Sequence, residues 1–127
     1  HCISSAASDV YKRQLVTSAT KRDVNLIAVT FNDRDDFNTH KKLYEYGFAN
    51  YSNYLIINKE KIRIKSKKYK NLYVKSNYYY LMKNNERDNI NTNVIMYNKK
   101  DKTDGSVGYI EVFYKNNSVH KEPIYVR

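Results

Sequence analysis

Apolar and polar positions along the chain fall into two textures. In the first, "LVTSATKRDVNLIAVTF" over residues 15–31, the period is two: Leu15, Thr17 and Ala19 share one face, Val16 and Ser18 the other. The polar Thr20-Lys21-Arg22-Asp23 makes the reversal. Val24 to Phe31 is a nearly continuous β-branched apolar run, as in a strand buried on both faces. The pattern predicts a hairpin. A lone hairpin is not stable in water, so this one belongs to a larger sheet.

"NDRDDFNTHKKLYEYGF" then reads as a loop followed by a short helix. Asp35 or Asp36 is placed to cap its N-terminus. Phe37, Tyr44 and Phe48 recur at helical spacing, with His40 or Lys41 between them. Lys41 and Lys42 lie toward the negative end of the helix dipole, and Gly47 sits as a left-handed C′ residue.

From Ser52 onward short apolar runs take over: "YLII" at 54, "KIRI" at 61, "LYV" at 72, "YYYLM" at 78, "NVIMY" at 93, "VGYIEVFY" at 107 and "PIYV" near the end. Asn-rich breaks separate them, and Asn tolerates left-handed turn positions in a chain with only 3 glycines. Short strands at regular spacing predict a small all-β sandwich over 52–127, with a domain boundary near Tyr51. The fold class expected is mainly β: a hairpin and one helix, then the sandwich.

The opening residues change what composition can say. "SSAASDVYKRQ", Ser4 to Gln14, has neither a signal-peptide core nor a strand or helical period. It resembles one reading frame of a transposon-based sequencing-library adapter. Residues 1–14 are therefore expected to be non-native, with genuine protein starting at Leu15. The single cysteine, Cys2, falls in that segment, which excludes disulfide frameworks, zinc clusters and thiol nucleophiles from 15–127.

The net charge is +10, with 14 tyrosines and no tryptophan. A basic, aromatic chain invites a polyanion-binding reading. A/T-rich codons account for the Lys, Asn, Tyr and Ile excess without a partner, and no nucleic acid is expected. The densest basic stretch is "NKEKIRIKSKKYKNLYVK", where Lys65, Lys67 and Lys68 would control any salt-dependent binding. An anionic cell wall or lipid surface would serve as a partner as well as nucleic acid.

Residues 15–20, 26–29 and 41–48 resemble the end of the catalytic domain of serine D-alanyl-D-alanine carboxypeptidases, the low-molecular-mass penicillin-binding proteins. In that family a strand pair L-V-A-S-A-T…L-I-A-V-V precedes a helix carrying K-K-L-L-x-Y-G-F. The later "DGSVGYIEVFYKNNSVHKEPIYV" resembles the last strands of the family's C-terminal β-domain. The resemblance divides the chain into 15–51, the end of the peptidase domain, and 52–127, the β-sandwich. It implies an extracytoplasmic, membrane-associated parent that removes the terminal D-alanine from peptidoglycan pentapeptides through an acyl-enzyme. Peptide stems are its partners, the bacterial membrane surface is a possible one, and no cofactor is implied. Many relatives carry an arginine just before the phenylalanine that opens the helix. Here that position is Asp36, and Arg34 is the nearest substitute as a substrate-side ligand.

The family's catalytic motifs, S-x-x-K, S-x-N and K-T-G, are absent from 15–127 as functional units. "SATK" at Ser18–Lys21 fits the first by letter, but it falls on a predicted strand and turn, where a helical turn is needed. "KTDG" at 102 has Asp104 intervening. His40 and His120 have no partners at metal-ligand spacing. Asp33, Asp35 and Asp36 read as capping and loop residues, and Glu60 with Glu122 gives no reason to expect a shared site. The expectation is a catalytically inactive fragment of a hydrolase. The alternative is a basic β-sandwich that binds wall polymer or nucleic acid without catalysis, and a further rival is a stalk domain with no ligand.

Overall fold

The computed structural model describes the backbone of residues 2–9 and all atoms of 13–127. The described residues are mainly β with one α-helix, and every strand register among them is antiparallel. It divides into two compact units. One runs up to Asn53 and takes in Leu81–Asn84; the other holds Tyr54–Tyr80 and Asn85–Arg127.

In the first unit, β1 (Cys2–Asp9), β2 (Gln14–Lys21) and β3 (Val24–Phe31) form a sheet in that order. The expected hairpin is present, with Leu15 opposite Thr30 and Thr17 opposite Ala28. Its reversal is tighter than the four-residue turn expected. Arg22 and Asp23 alone make it, both with positive φ (51° and 61°), because a primed two-residue turn matches the strand twist. The Arg22 guanidinium donates to the Phe48 carbonyl at 2.7 Å, which holds a residue type that does not favour that conformation.

The segment around Ser4 to Asp9, expected to have no regular element, is a strand paired along β2. Backbone donors and acceptors on an open sheet edge pair with any extended chain, whatever its side-chain pattern. Val10, Tyr11 and Lys12 of the adapter-like stretch lie outside the described residues.

The helix α1 (Asp36–Asn50) buries Asp36, His40, Tyr44, Gly47 and Phe48 against the sheet. It is longer than expected, and three details differ. Gly47 is inside the helix and not at C′. A Cβ there would stand 2.5 Å from Leu26 Cδ1, so the glycine serves the close approach of helix and strand. Lys41 and Lys42 are therefore mid-helix, and the last turn has no basic residue. The capping expected of Asp35 or Asp36 falls to Asp36: Asp35 is the N-cap residue, but its carboxylate takes the Asn38 side-chain amide, whereas Asp36 Oδ1 accepts the Phe37 backbone amide at 2.9 Å. Phe37 is 64% exposed; Tyr44 and Phe48 make the core with Ala19, Val24 and Ala28.

β4 (Tyr51–Ile57) pairs with β6 (Tyr78–Lys83). β5 (Leu72–Tyr73), β7 (Ile90–Met96), β8 (Gly108–Tyr114) and β9 (Asn117–Val126) form a four-stranded sheet ordered β5-β9-β8-β7. Ile57, Val74, Val107, Ile110, Val112 and Ile124 build the core of the second unit. Ile110, Val112 and Ile124 come from alternate positions, as the pleat requires. The β8–β9 reversal repeats the primed geometry, with Lys115 (φ 48°) and Asn116 (φ 66°). "KIRI" at 61–64 is not a strand. It alternates as one, with Ile62 and Ile64 half-buried on the core, but no neighbouring strand pairs with it among the described residues.

Candidate functional site

The nucleophile pattern by letter, Ser18 and Lys21, lies wholly on β2. Three residues apart on a strand, their side chains leave opposite faces, whereas an S-x-x-K pair needs one helical turn to meet. "KTDG" forms a turn before β8, not a strand. Asp101 Oδ1 accepts the Thr103 amide at 2.7 Å and the Asp104 amide at 3.3 Å, and Gly105 closes the turn with φ 77°. Ser106 donates to Asp104, by hydroxyl and backbone, and holds that carboxyl below its ordinary 3.8.

Arg34 is exposed in the loop between β3 and α1, and its carbonyl accepts from Arg13 Nη2 at 2.9 Å. Arg13 also donates to the Asp33 carbonyl and reaches Asp36 Oδ1 at 3.4 Å, so the loop is pinned from the start of β2. The acidic cluster divides into separate duties. Asp36 is buried and faces Arg13, whereas Asp33 accepts from Asp35 N. Hydrogen bonds from the Thr39 side chain and then the Asp35 backbone lower the Asp33 pKa.

Sequence spacing missed the polar network under α1. Thr17 Oγ1 bonds His40 Nδ1 at 2.6 Å and also the Tyr44 hydroxyl, and Thr30 Oγ1 meets His40 Nε2 at 2.9 Å. His40 is 0% exposed and Thr17 1%. Both imidazole nitrogens are thereby satisfied, which fits a structural tie between β2, β3 and α1 better than a reaction centre open to substrate. The signal available was the threonine on the inward face of each strand.

In the second unit, His120 Nε2 contacts Glu122 Oε1 at 2.9 Å and its ring stacks on Tyr78 at 3.9 Å. Burial and the neighbouring Tyr80 raise the Tyr78 pKa. Glu60, on the surface, is not part of this pair. Among the described residues no three His, Cys, Asp or Glu side chains converge in a way that could hold a metal. No described helix is long and apolar enough to cross a membrane.

Most of α1 and the strands that follow it correspond to a known family. The chain belongs to the family described as penicillin-binding protein 5, C-terminal domain, which matches residues 39–127. This agrees with the resemblance read from the sequence. Solved structures of similar fold include the D-alanyl-D-alanine carboxypeptidase DacD from Francisella tularensis, with a TM-score of 0.61 and 16% identity over 95% of this chain. Penicillin binding protein 6B from Escherichia coli gives 0.59 and 17% over 98%, and penicillin binding protein 5 from Haemophilus influenzae 0.54 and 16% over 95%. At these identities the likeness is one of fold. The chain spans 34%, 34% and 40% of those three structures. No curated protein matches it.

Proposed function

We propose that this chain is the C-terminal part of a serine D-alanyl-D-alanine carboxypeptidase. Residues 15–51 are the last hairpin and helix of its peptidase domain, 52–127 are the β-domain that follows, and 1–14 are not native. The parent is an envelope enzyme that removes the terminal D-alanine of peptidoglycan pentapeptides through an acyl-serine. The nucleophile, its lysine and the K-T-G strand belong to other parts of that parent. The β-domain acts as a spacer or docking surface, and this chain alone does not catalyse. Of its own residues, only Arg34 is assigned a substrate-side position.

The observation that carries the reading is the family match over 39–127. A second observation supports the division of labour. Ile27, Val29 and Phe31 on the outward face of β3 are 75%, 47% and 65% exposed. An apolar sheet face of that kind suits a strand covered by a further layer in a longer protein. The test is to read the gene upstream of the Leu15 codon. The family motif order places K-T-G within about twenty residues; an unrelated upstream sequence would overturn the assignment.

A further inference from the structure

We propose that the second unit carries a binding groove for a linear, phosphate-bearing polyanion, formed where the 58–71 connection runs beside the edge strand β5. The groove encloses about 600 Å³, and Lys59, Arg63, Lys65 and Arg127 line it, with Glu60 the one acidic side chain among the described lining residues. The local sequence explains the display. Ile62 and Ile64 are half-buried on the core and fix the segment in an extended form. Period-two alternation then turns Arg63 and Lys65 outward, and both are exposed. None of the four cations forms an ion pair with a carboxylate among the described residues. Like charges gathered without counterions attract a multivalent anion, which neutralises several at once and releases its own counterions.

The cationic row continues beyond the groove. The Arg127 guanidinium lies over the Tyr73 ring at 4.6 Å, and Lys75 Nζ lies over Tyr125 at 3.9 Å. Tyr73 and Tyr125 are cross-strand partners with ring centroids 5.8 Å apart. Stacking on aromatic platforms holds single-stranded nucleic acid bases. Here a cation already covers one face of each ring, which favours a phosphate chain without bases. Membrane docking draws on apolar side chains that enter the lipid. Among the described residues none of the large exposed apolar side chains lines this groove, which argues against a bilayer.

The site is independent of the peptidase reading, since it requires no catalysis in the parent. Linear inorganic polyphosphate is the probe, titrated into the full chain at 50 to 200 mM salt. Four phosphates neutralised on a flexible strand give a log–log salt slope of about −2.8, or roughly fiftyfold weaker binding across that range. Arg63→Gln with Lys65→Gln should bring the slope to about −1.4. Lys41→Gln with Lys42→Gln, an equal charge loss on the exposed face of α1, should leave it unchanged. Glu60→Gln should tighten binding, which keeps the test open if the double variant fails to fold. The proposal is overturned by absence of polyphosphate binding at 50 mM salt, or by equal effects of the two lysine/arginine pairs. It is equally overturned if anionic phospholipid vesicles or single-stranded DNA of matched charge bind more tightly than polyphosphate.

Discussion

Replacing Gly108 by alanine tests the packing of the second unit at one atom. Gly108 opens β8 between two neighbours, opposite Met96 on β7 and Ile124 on β9. A Cβ there would overlap the Ile95 carbonyl oxygen and come within 3.0 Å of Met96 Cα and 3.1 Å of Met96 Sδ. The obstruction is backbone, so no rotamer change relieves it. β7 would have to withdraw by about 1 Å at this end, a shift of the kind that costs overpacked cores about 1–3 kcal/mol. One ladder hydrogen bond weakened in the same movement adds about 1 kcal/mol. The expected loss is therefore about 2–4 kcal/mol, a large part of what so small a unit has. In a domain of this size, that lowers the melting temperature by more than about 8 °C. Thermal unfolding followed by circular dichroism reads the loss, and hydrogen exchange should show it first in β7. Gly105→Ala is the control: its nearest neighbour is Lys100 Cε at 3.7 Å, so only its φ of 77° resists, at about 1–2 kcal/mol. If Gly108→Ala proved as stable as the parent chain, the close strand approach would be wrong.

Three further outcomes follow from named contacts. Thr17→Val keeps the shape but strips partners from His40 Nδ1 and the Tyr44 hydroxyl, and should cost about 2–4 kcal/mol in urea unfolding; a loss below about 0.5 kcal/mol would count against the network. Lys115→Asn places a residue suited to left-handed backbone at φ 48° and should stabilise by about 0.5–1 kcal/mol. A destabilised variant would mean that the Lys115–Glu86 contact at 3.9 Å outweighs the backbone term. The Asp104 carboxyl, held low by Ser106, contributes its stabilisation in full above its ordinary 3.8 and loses it as pH falls through the lower folded value. Asp104→Asn should therefore flatten the acid limb of the stability curve; a carboxyl NMR titration midpoint at or above 3.8 would contradict this.

The elements that depend on local period were legible in the sequence: both strands of the 15–31 hairpin, the helix, and most strands after Ser52. What was not legible depends on distant neighbours. A glycine that ends a helix and one that admits a strand look alike in sequence, so Gly47 has the spacing of a C′ residue although it accommodates Leu26. "KIRI" has a strand's alternation, but alternation does not supply a pairing partner. The tie through His40 joins residues 23 and 10 positions away in sequence, which no spacing rule reaches. The dense basic stretch supplies part of the groove lining, but not with all three of the lysines singled out from the sequence. Lys65 lines it, whereas Lys68 donates to the Asn98 carbonyl at 2.7 Å, and Arg127 joins from the far end of the chain.

The most direct test of the central claim is acylation by a fluorescent penicillin. The 127-residue chain should take up no label, and residues 15–127 extended upstream of Leu15 to the gene's own start should be labelled stoichiometrically at a serine outside this chain. Covalent labelling of the 127-residue chain itself would contradict the account.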